Sequence, residues 1–228
     1  MSDTSLSLSL APRPFWDTLF SLSPWSSFAL ACLISAILVF FQQEVLLTDA
    51  LFYNSFGEQM AYERIEELIT RKEQYQWLTY ALIPVLLLVQ LFLISLCLNV
   101  GTILYEYKIG FKKLFRMMAQ GSVWLALIGV LQLVPLYFSE VQTLDQMGQI
   151  DWFSLAALFS ETELPLWLLL PLKLLSLLTL LTLLILAGGM HYLSGRPYRK
   201  MLGFVALTYG LGMILLVLLL VFLQLNMT

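Results

Sequence analysis

Five stretches of the chain are apolar on every face, and the segments between them are polar or mixed. They run at about residues 26–41, 77–98, 121–138, 164–187 and 203–225. A helix needs about 20 mainly apolar residues to cross a hydrocarbon core ~30 Å thick. The first stretch is short, and Trp25 and Gln42 extend it to the interfaces. Backbone groups in lipid must find partners within their own segment, so each stretch is predicted as an α-helix. The short alternating segments of a membrane β-barrel are absent. The pattern therefore predicts an all-α polytopic integral membrane helix bundle with five transmembrane helices. Residues 1–25 precede it as a tail, and 26–225 form the membrane domain.

The connections carry their own patterns. Phe15–Ser23 alternates apolar and polar positions between Pro14 and Pro24, which predicts an interfacial turn of helix with Phe15, Leu19 and Leu22 toward lipid. Residues 1–11 are rich in Ser and Leu, with no basic residue and no small-residue cleavage site after the first apolar run, so no secretory leader is expected. Residues 43–76 are predicted as a helical segment outside the bilayer. In its second half Met60, Ile65, Leu68 and Ile69 recur among charges at helical spacing. No Pro or Gly interrupts Glu58 to Ile83, so that helix is expected to run into the second span, with Pro84 as a kink point. Tyr105–Arg116 alternates basic and apolar residues, as an amphipathic helix at an anionic leaflet would. Gly188–Leu202 reads as a tight turn with a basic cluster.

Composition supports the membrane reading. The chain has 228 residues, 60% apolar and 12% charged, against roughly 45–50% and ~25% in an ordinary globular domain. A soluble domain of this size has too much surface for so few charges. The formal net charge of −3 offers no basic field to hold a nucleic acid.

The small net charge conceals a segregation. With the N-terminus inside, inner segments hold eight basic residues: Arg13, Lys108, Lys112, Lys113, Arg116, Arg196, Arg199 and Lys200. Outer segments hold Arg64, Arg71 and Lys72, and Lys173 lies in the fourth apolar stretch. Only Asp3, Asp17 and Glu106 among the 15 acids fall inside. The basic bias predicts N-in and C-out. Trp25, Tyr105 and Tyr198 at one interface, with Trp77 and Trp167 at the other, follow the aromatic belt pattern.

Reactive constellations are missing. His191 is the one histidine, so no His-based metal site can form, and no carboxylate sits inside a span. Cys32 and Cys97 lack metal-ligand spacing and read as small apolar residues. Glu66-Glu67-Leu-Ile-Thr-Arg71 matches the string that opens the active site of CPBP-type intramembrane proteases, but His191 belongs to the opposite side. No catalytic residue, metal or cofactor is expected. Lys173 is the one charge within the bilayer, about 13.5 Å past Leu164. A mid-span cation costs ~2.5–3.5 kcal/mol and points to a functional or structural polar site. Gln90 and Gln132, with Ser176 and Thr179, are its polar neighbours by depth. The candidate lipid or partner surface comprises Lys108, Lys112, Lys113, Arg116, Arg196, Arg199 and Lys200. Ala206-x-x-x-Gly210, with Gly203 and Gly212, gives the fifth span a smooth face for helix packing first and homo-oligomer formation second. Ser122-x-x-x-Ala126 with Gly129 does the same for the third.

Five spans, N-in and C-out, with a basic connection between spans two and three, resemble the Yip1 domain family. Pro14-Phe-Trp-Asp-Thr-Leu-Phe-Ser-Leu-Ser-Pro24 is similar to the Pro-flanked segment before the family's first span. Gly101 and Tyr107-Lys-Ile-Gly-Phe-Lys-Lys-Leu-Phe-Arg116 resemble its connection between spans two and three, and Thr208-Tyr-Gly-Leu-Gly212 resembles bacterial members. The long segment 43–76 departs from compact eukaryotic members, which bind small GTPases and shape endomembranes. The resemblance implies a non-enzymatic membrane scaffold or adaptor that binds membrane lipids and a membrane or peripheral protein partner. Its expected place is the bacterial inner membrane. A small transporter or permease subunit using Lys173 is the alternative.

Overall fold

A computed structural model describes residues 20, 22–57, 60–139, 141–149, 152–158 and 172–227. The predicted interfacial helix at 15–23, apart from Phe20, Leu22 and Ser23, and the first part of the predicted fourth span lie outside the described residues. Five helices are long and apolar enough to cross a membrane. The described elements are helical, and strand pairing among them is confined to one isolated bridge.

Helix α1, Pro24–Phe41, starts where Ser23 caps it and Pro24 fits the first turn. The Ser23 hydroxyl accepts from the Ser26 N–H at 3.2 Å, which satisfies a donor that has no partner within the helix. The helix continues as a π-helix over Gln42–Leu46. Short α2, Asp49–Phe56, follows and packs on α3. Helix α3 is unbroken over Tyr62–Leu104, through Pro84. At 1.5 Å per residue its 43 residues extend about 64 Å, twice the thickness of a hydrocarbon core, so its N-terminal half projects beyond the bundle.

Residues 105–110 then turn. Glu106 takes a left-handed conformation there, at φ 53°. Helix α4 spans Phe111–Phe138. Sequence pattern predicted one amphipathic helix over Tyr105–Arg116. Instead Gly110, extended at ψ 155°, splits that segment, and Lys112, Lys113 and Arg116 occupy the opening turns of a spanning helix.

Short α5, Leu144–Gln149, packs beside α2. Past it, Leu155 N–H donates to Leu175 O at 2.9 Å and Leu177 N–H to Phe153 O at 2.8 Å, an antiparallel bridge between Ser154 and Ser176. The fourth span was predicted at 164–187; within its described part, residues 172–174 are helical and the bridge at Ser176 interrupts the helix. Spanning helix α6 is Leu177–Ser194. Ser176 is extended and its side chain caps the helix, accepting from Thr179 N–H at 3.1 Å. The far end moves too. Gly188 and Gly189 were predicted to open a turn, yet both are buried inside α6. The helix ends at Gly195, where a φ of +66° suits a residue without a Cβ, and Pro197 follows. Helix α7 is Tyr198–Met227.

Helix α4 is the hub of the bundle, packed most extensively on α1 and also on α6 and α3. Helix α7 lies against α6 and α3. One core holds Phe20, Leu91, Ile94, Leu98, Leu114, Met117, Met118, Leu186, Met190, Met201, Phe204 and Val205. Apart from Leu91, Ile94 and Phe20, those residues lie within about 12 Å, along their own helices, of the end where 105–110 and 195–197 turn. We call this the basic end. The opposite half holds α2, α5 and the bridge between Ser154 and Ser176.

Candidate functional sites at the basic end and in the opposite half

All seven cations of the predicted surface are exposed at the basic end. Lys112, Lys113 and Arg116 are on the first turns of α4, Arg199 and Lys200 on the first turn of α7, and Lys108 and Arg196 in the two turns. An aromatic cluster ties those turns together. Tyr105 and Tyr107 pack on Phe204 at 5.4 and 5.2 Å between ring centroids. The Arg196 guanidinium covers the Tyr107 ring at 4.0 Å. Such a contact contributes about 0.5–1 kcal/mol at an exposed site.

Lys112 and Arg116, one helical turn apart, rim a groove of about 500 Å³ between α1, α3 and α4. Its walls are Phe28, Leu88, Leu91 and Phe115, with Trp25 at 83% exposure beside the mouth. Gln120 Nε2 donates to Leu22 O at 2.9 Å and ties α4 to the segment entering α1. Lys108, Lys113, Arg196, Arg199 and Lys200 share the end of the bundle but not the groove. The alternation of basic and apolar residues signalled Lys112 and Arg116. Nothing in the sequence signalled that α1 and α3 would complete the groove.

A second cavity, of about 300 Å³, lies in the opposite half and receives side chains from all five spanning helices. Helix α3 contributes Gln90 and α4 contributes Gln132. These two predicted candidates are thus brought together, along with Ser176 and Thr179. Ser35, Thr182 and Tyr209 also line it, and sequence reading did not single them out. One signal existed: Ser176, Thr179 and Thr182 recur every three residues and so share a helix face. Thr179 Oγ1 donates to Leu174 O at 2.7 Å, and Thr182 Oγ1 to Leu178 O at 3.0 Å. Among the described residues, the Gln90 and Gln132 carboxamides have no hydrogen-bond partner.

Lys173 does not line this cavity. It was predicted nine residues into a span, but it precedes the Ser176 cap and is half-buried. Lys173 lies in a helical turn at residues 172–174, and the extended Ser176, bridged to Ser154, separates it from α6. Glu67 pairs with Arg71 at 2.7 Å on the exposed face of α3, remote from His191 near the end of α6. His191 Nδ1 lies 2.5 Å from Arg196 O and packs edge-on to Tyr198. Among the described residues no group of three His, Cys, Asp or Glu side chains could hold a metal ion.

Five apolar helices around one packed core define an integral membrane protein of the helical-bundle class. Comparison with family models, with curated proteins and with solved structures finds no match for this chain.

Proposed function

We propose that this chain is a non-enzymatic, Yip1-like scaffold or adaptor of a bacterial inner membrane, with its basic end cytoplasmic. Its basic end holds an anionic phospholipid and presents the remaining cations to a peripheral protein partner. One observation carries this reading, the groove of about 500 Å³ with apolar walls and Lys112 and Arg116 at its rim. An acyl chain suits the walls and a phosphate suits the rim. Each cation near an anionic surface contributes about 1 kcal/mol. The positive-inside bias supports the orientation.

The test uses the full chain in neutral detergent, with lipid added back. Phosphatidylglycerol should raise the thermal midpoint by several degrees, and phosphatidylcholine should not. Lys112→Gln with Arg116→Gln should remove the difference. Equal shifts with both lipids, or an unaltered response in the double variant, would refute the lipid groove.

A further inference from the structure

We propose that the cavity of about 300 Å³ is a binding site for a small, uncharged solute rich in hydrogen-bonding groups, of the polyol or urea class. The argument begins with depth. Measured along the helices, Ser35, Tyr209 and Thr182 stand about 16–18 Å from the basic end, and Gln132 about 31 Å. With a hydrocarbon core of ~30 Å, the polar lining starts near mid-membrane and reaches the far interface. Toward the basic end the packed core closes it, with Leu91 and Leu186 buried at 1% and 3% exposure. The site is closed toward the basic end, and Gln90 and Gln132 are exposed at its other end.

Facing hydrocarbon, each unsatisfied carboxamide or hydroxyl would cost several kcal/mol. Five helices contribute such groups to one space, so the space holds water or a polar ligand. The lining contains no Asp, Glu, Lys, Arg or His, which disfavours an ion stripped of its hydration. The hydrogen-bond inventory narrows the class further. Thr179 and Thr182 spend their protons on backbone carbonyls; Thr179 then accepts from Ser176 Oγ at 3.1 Å and keeps one further lone pair, and Thr182 keeps its own, free to accept. Gln90 and Gln132 offer both donors and acceptors. A ligand must therefore donate and accept at several points, as a polyol or urea does and a hydrocarbon chain does not. The volume stands at the lower end of small-molecule pockets, roughly 300–1,000 Å³, and calls for a small ligand.

Thiol accessibility in proteoliposomes tests this, with glycerol and urea as the probes. Ser35→Cys places a thiol in the cavity, and Leu33→Cys places one on an exposed apolar face of the same helix. Only a hydrated thiol ionises and reacts. The Ser35→Cys thiol should react with a small water-soluble thiol reagent about tenfold faster than the Leu33→Cys thiol. Glycerol or urea at submolar concentration should slow that reaction at least about twofold, and Gln90→Leu with Gln132→Leu should abolish the protection. Thr182→Cys gives a second reporter where Ser35→Cys does not fold. Equal rates at the cavity and lipid-face positions would overturn the proposal. So would a fast reaction that neither probe slows, which assigns the space to water alone. Protection by a detergent monomer but by neither probe would assign it to lipid and also overturn it.

Discussion

Phe20 shows how much one side chain decides in this bundle. It belongs to the Pro-bracketed segment expected to lie on the membrane surface, yet it is 2% exposed and enters the core. Its ring fits because two helices leave room for it: a Cβ on Gly189 would come within 2.9 Å of Phe20 Cζ, and one on Gly121 within 3.1 Å of Phe20 Cε1. Tyr192 stacks on it at 5.9 Å. Truncation to alanine should lower unfolding free energy by about 3–5 kcal/mol, the usual loss for a buried Phe, read from detergent-resolved thermal or chemical unfolding. Gly101 is the tighter contact of α3 on α7, since a Cβ there would lie 2.1 Å from Thr208 Cγ2 and 2.9 Å from Phe204 Cζ. Gly101→Val should destabilise by about 1–3 kcal/mol or more. Gly203→Ala, in open space, should be neutral or mildly stabilising in the same assay. Sequence spacing pointed to Gly203, Ala206, Gly210 and Gly212 as the smooth face; a Cβ at Gly212 would lie 2.7 Å from Cys97 Sγ, but Ala206 is exposed and a Cβ at Gly203 or Gly210 meets nothing within 4 Å. Small-residue spacing identifies candidate contacts; only the rotation of one helix against another selects among them.

At the scale of elements, helix ends follow caps more faithfully than they follow hydropathy. The leucine-dense run 164–187 reads as one span, but Ser176 competes as a cap and its bridge to Ser154 interrupts the helix between residues 174 and 177. Ser176→Ala should cost about 0.5–2 kcal/mol, the usual worth of an N-cap, while Ser176→Asp or Ser176→Asn retains most of it. Unfolding midpoints of the three variants check the order. The turn at 105–110 supplies the reverse case. Glu106 is held at φ 53°, a conformation that costs an L-residue roughly 1–2 kcal/mol. Glu106→Gly should therefore raise stability by up to about 1 kcal/mol. A fall in midpoint would show that the Glu106 side chain contributes more than its backbone strain removes. Sequence gave no warning of that left-handed residue, because Glu carries no turn preference. Gly195 and Pro197 form a helix-stopping pair in the sequence, but the connection was read as opening already at Gly188.

Over the whole molecule, charge and packing are both divided between the ends. Seven cations and Glu106 gather at one end, beside the dense core; the polar cavity and the outward-projecting half of α3 belong to the other. At the far end Lys72 Nζ donates to Leu47 O at 2.6 Å and lies 5.2 Å from the Phe52 ring, which fastens α2 to α3. The proposed orientation makes the basic end cytoplasmic. A cysteine at Lys200 should then react with an impermeant reagent only in inverted vesicles, and one at Tyr62 only in right-side-out cells. The opposite pattern would reverse the orientation and carry the cavity mouth to the cytoplasm. The solute site itself would be untouched by that result, since it depends on lining chemistry and not on sidedness.

The amino-acid sequence alone determined that the chain has five apolar helices, that its charges separate into a basic and an acidic set, and that Gln90 and Gln132 are polar residues at membrane depth. Each of these is a property of residues one at a time or of a single helix, and composition with period 3.6 suffices to read it. Tertiary structure decided that the fourth apolar run is interrupted at Ser176, which glycines are contacts, that Lys173 stands outside the cavity, and that seven polar side chains from five helices face one space. Lipid is as apolar as leucine, so hydrophobicity puts a helix in the membrane but does not choose its neighbours or its rotation. Close packing at Gly101, Gly121 and Gly189 makes those choices, and no pattern along one helix records them.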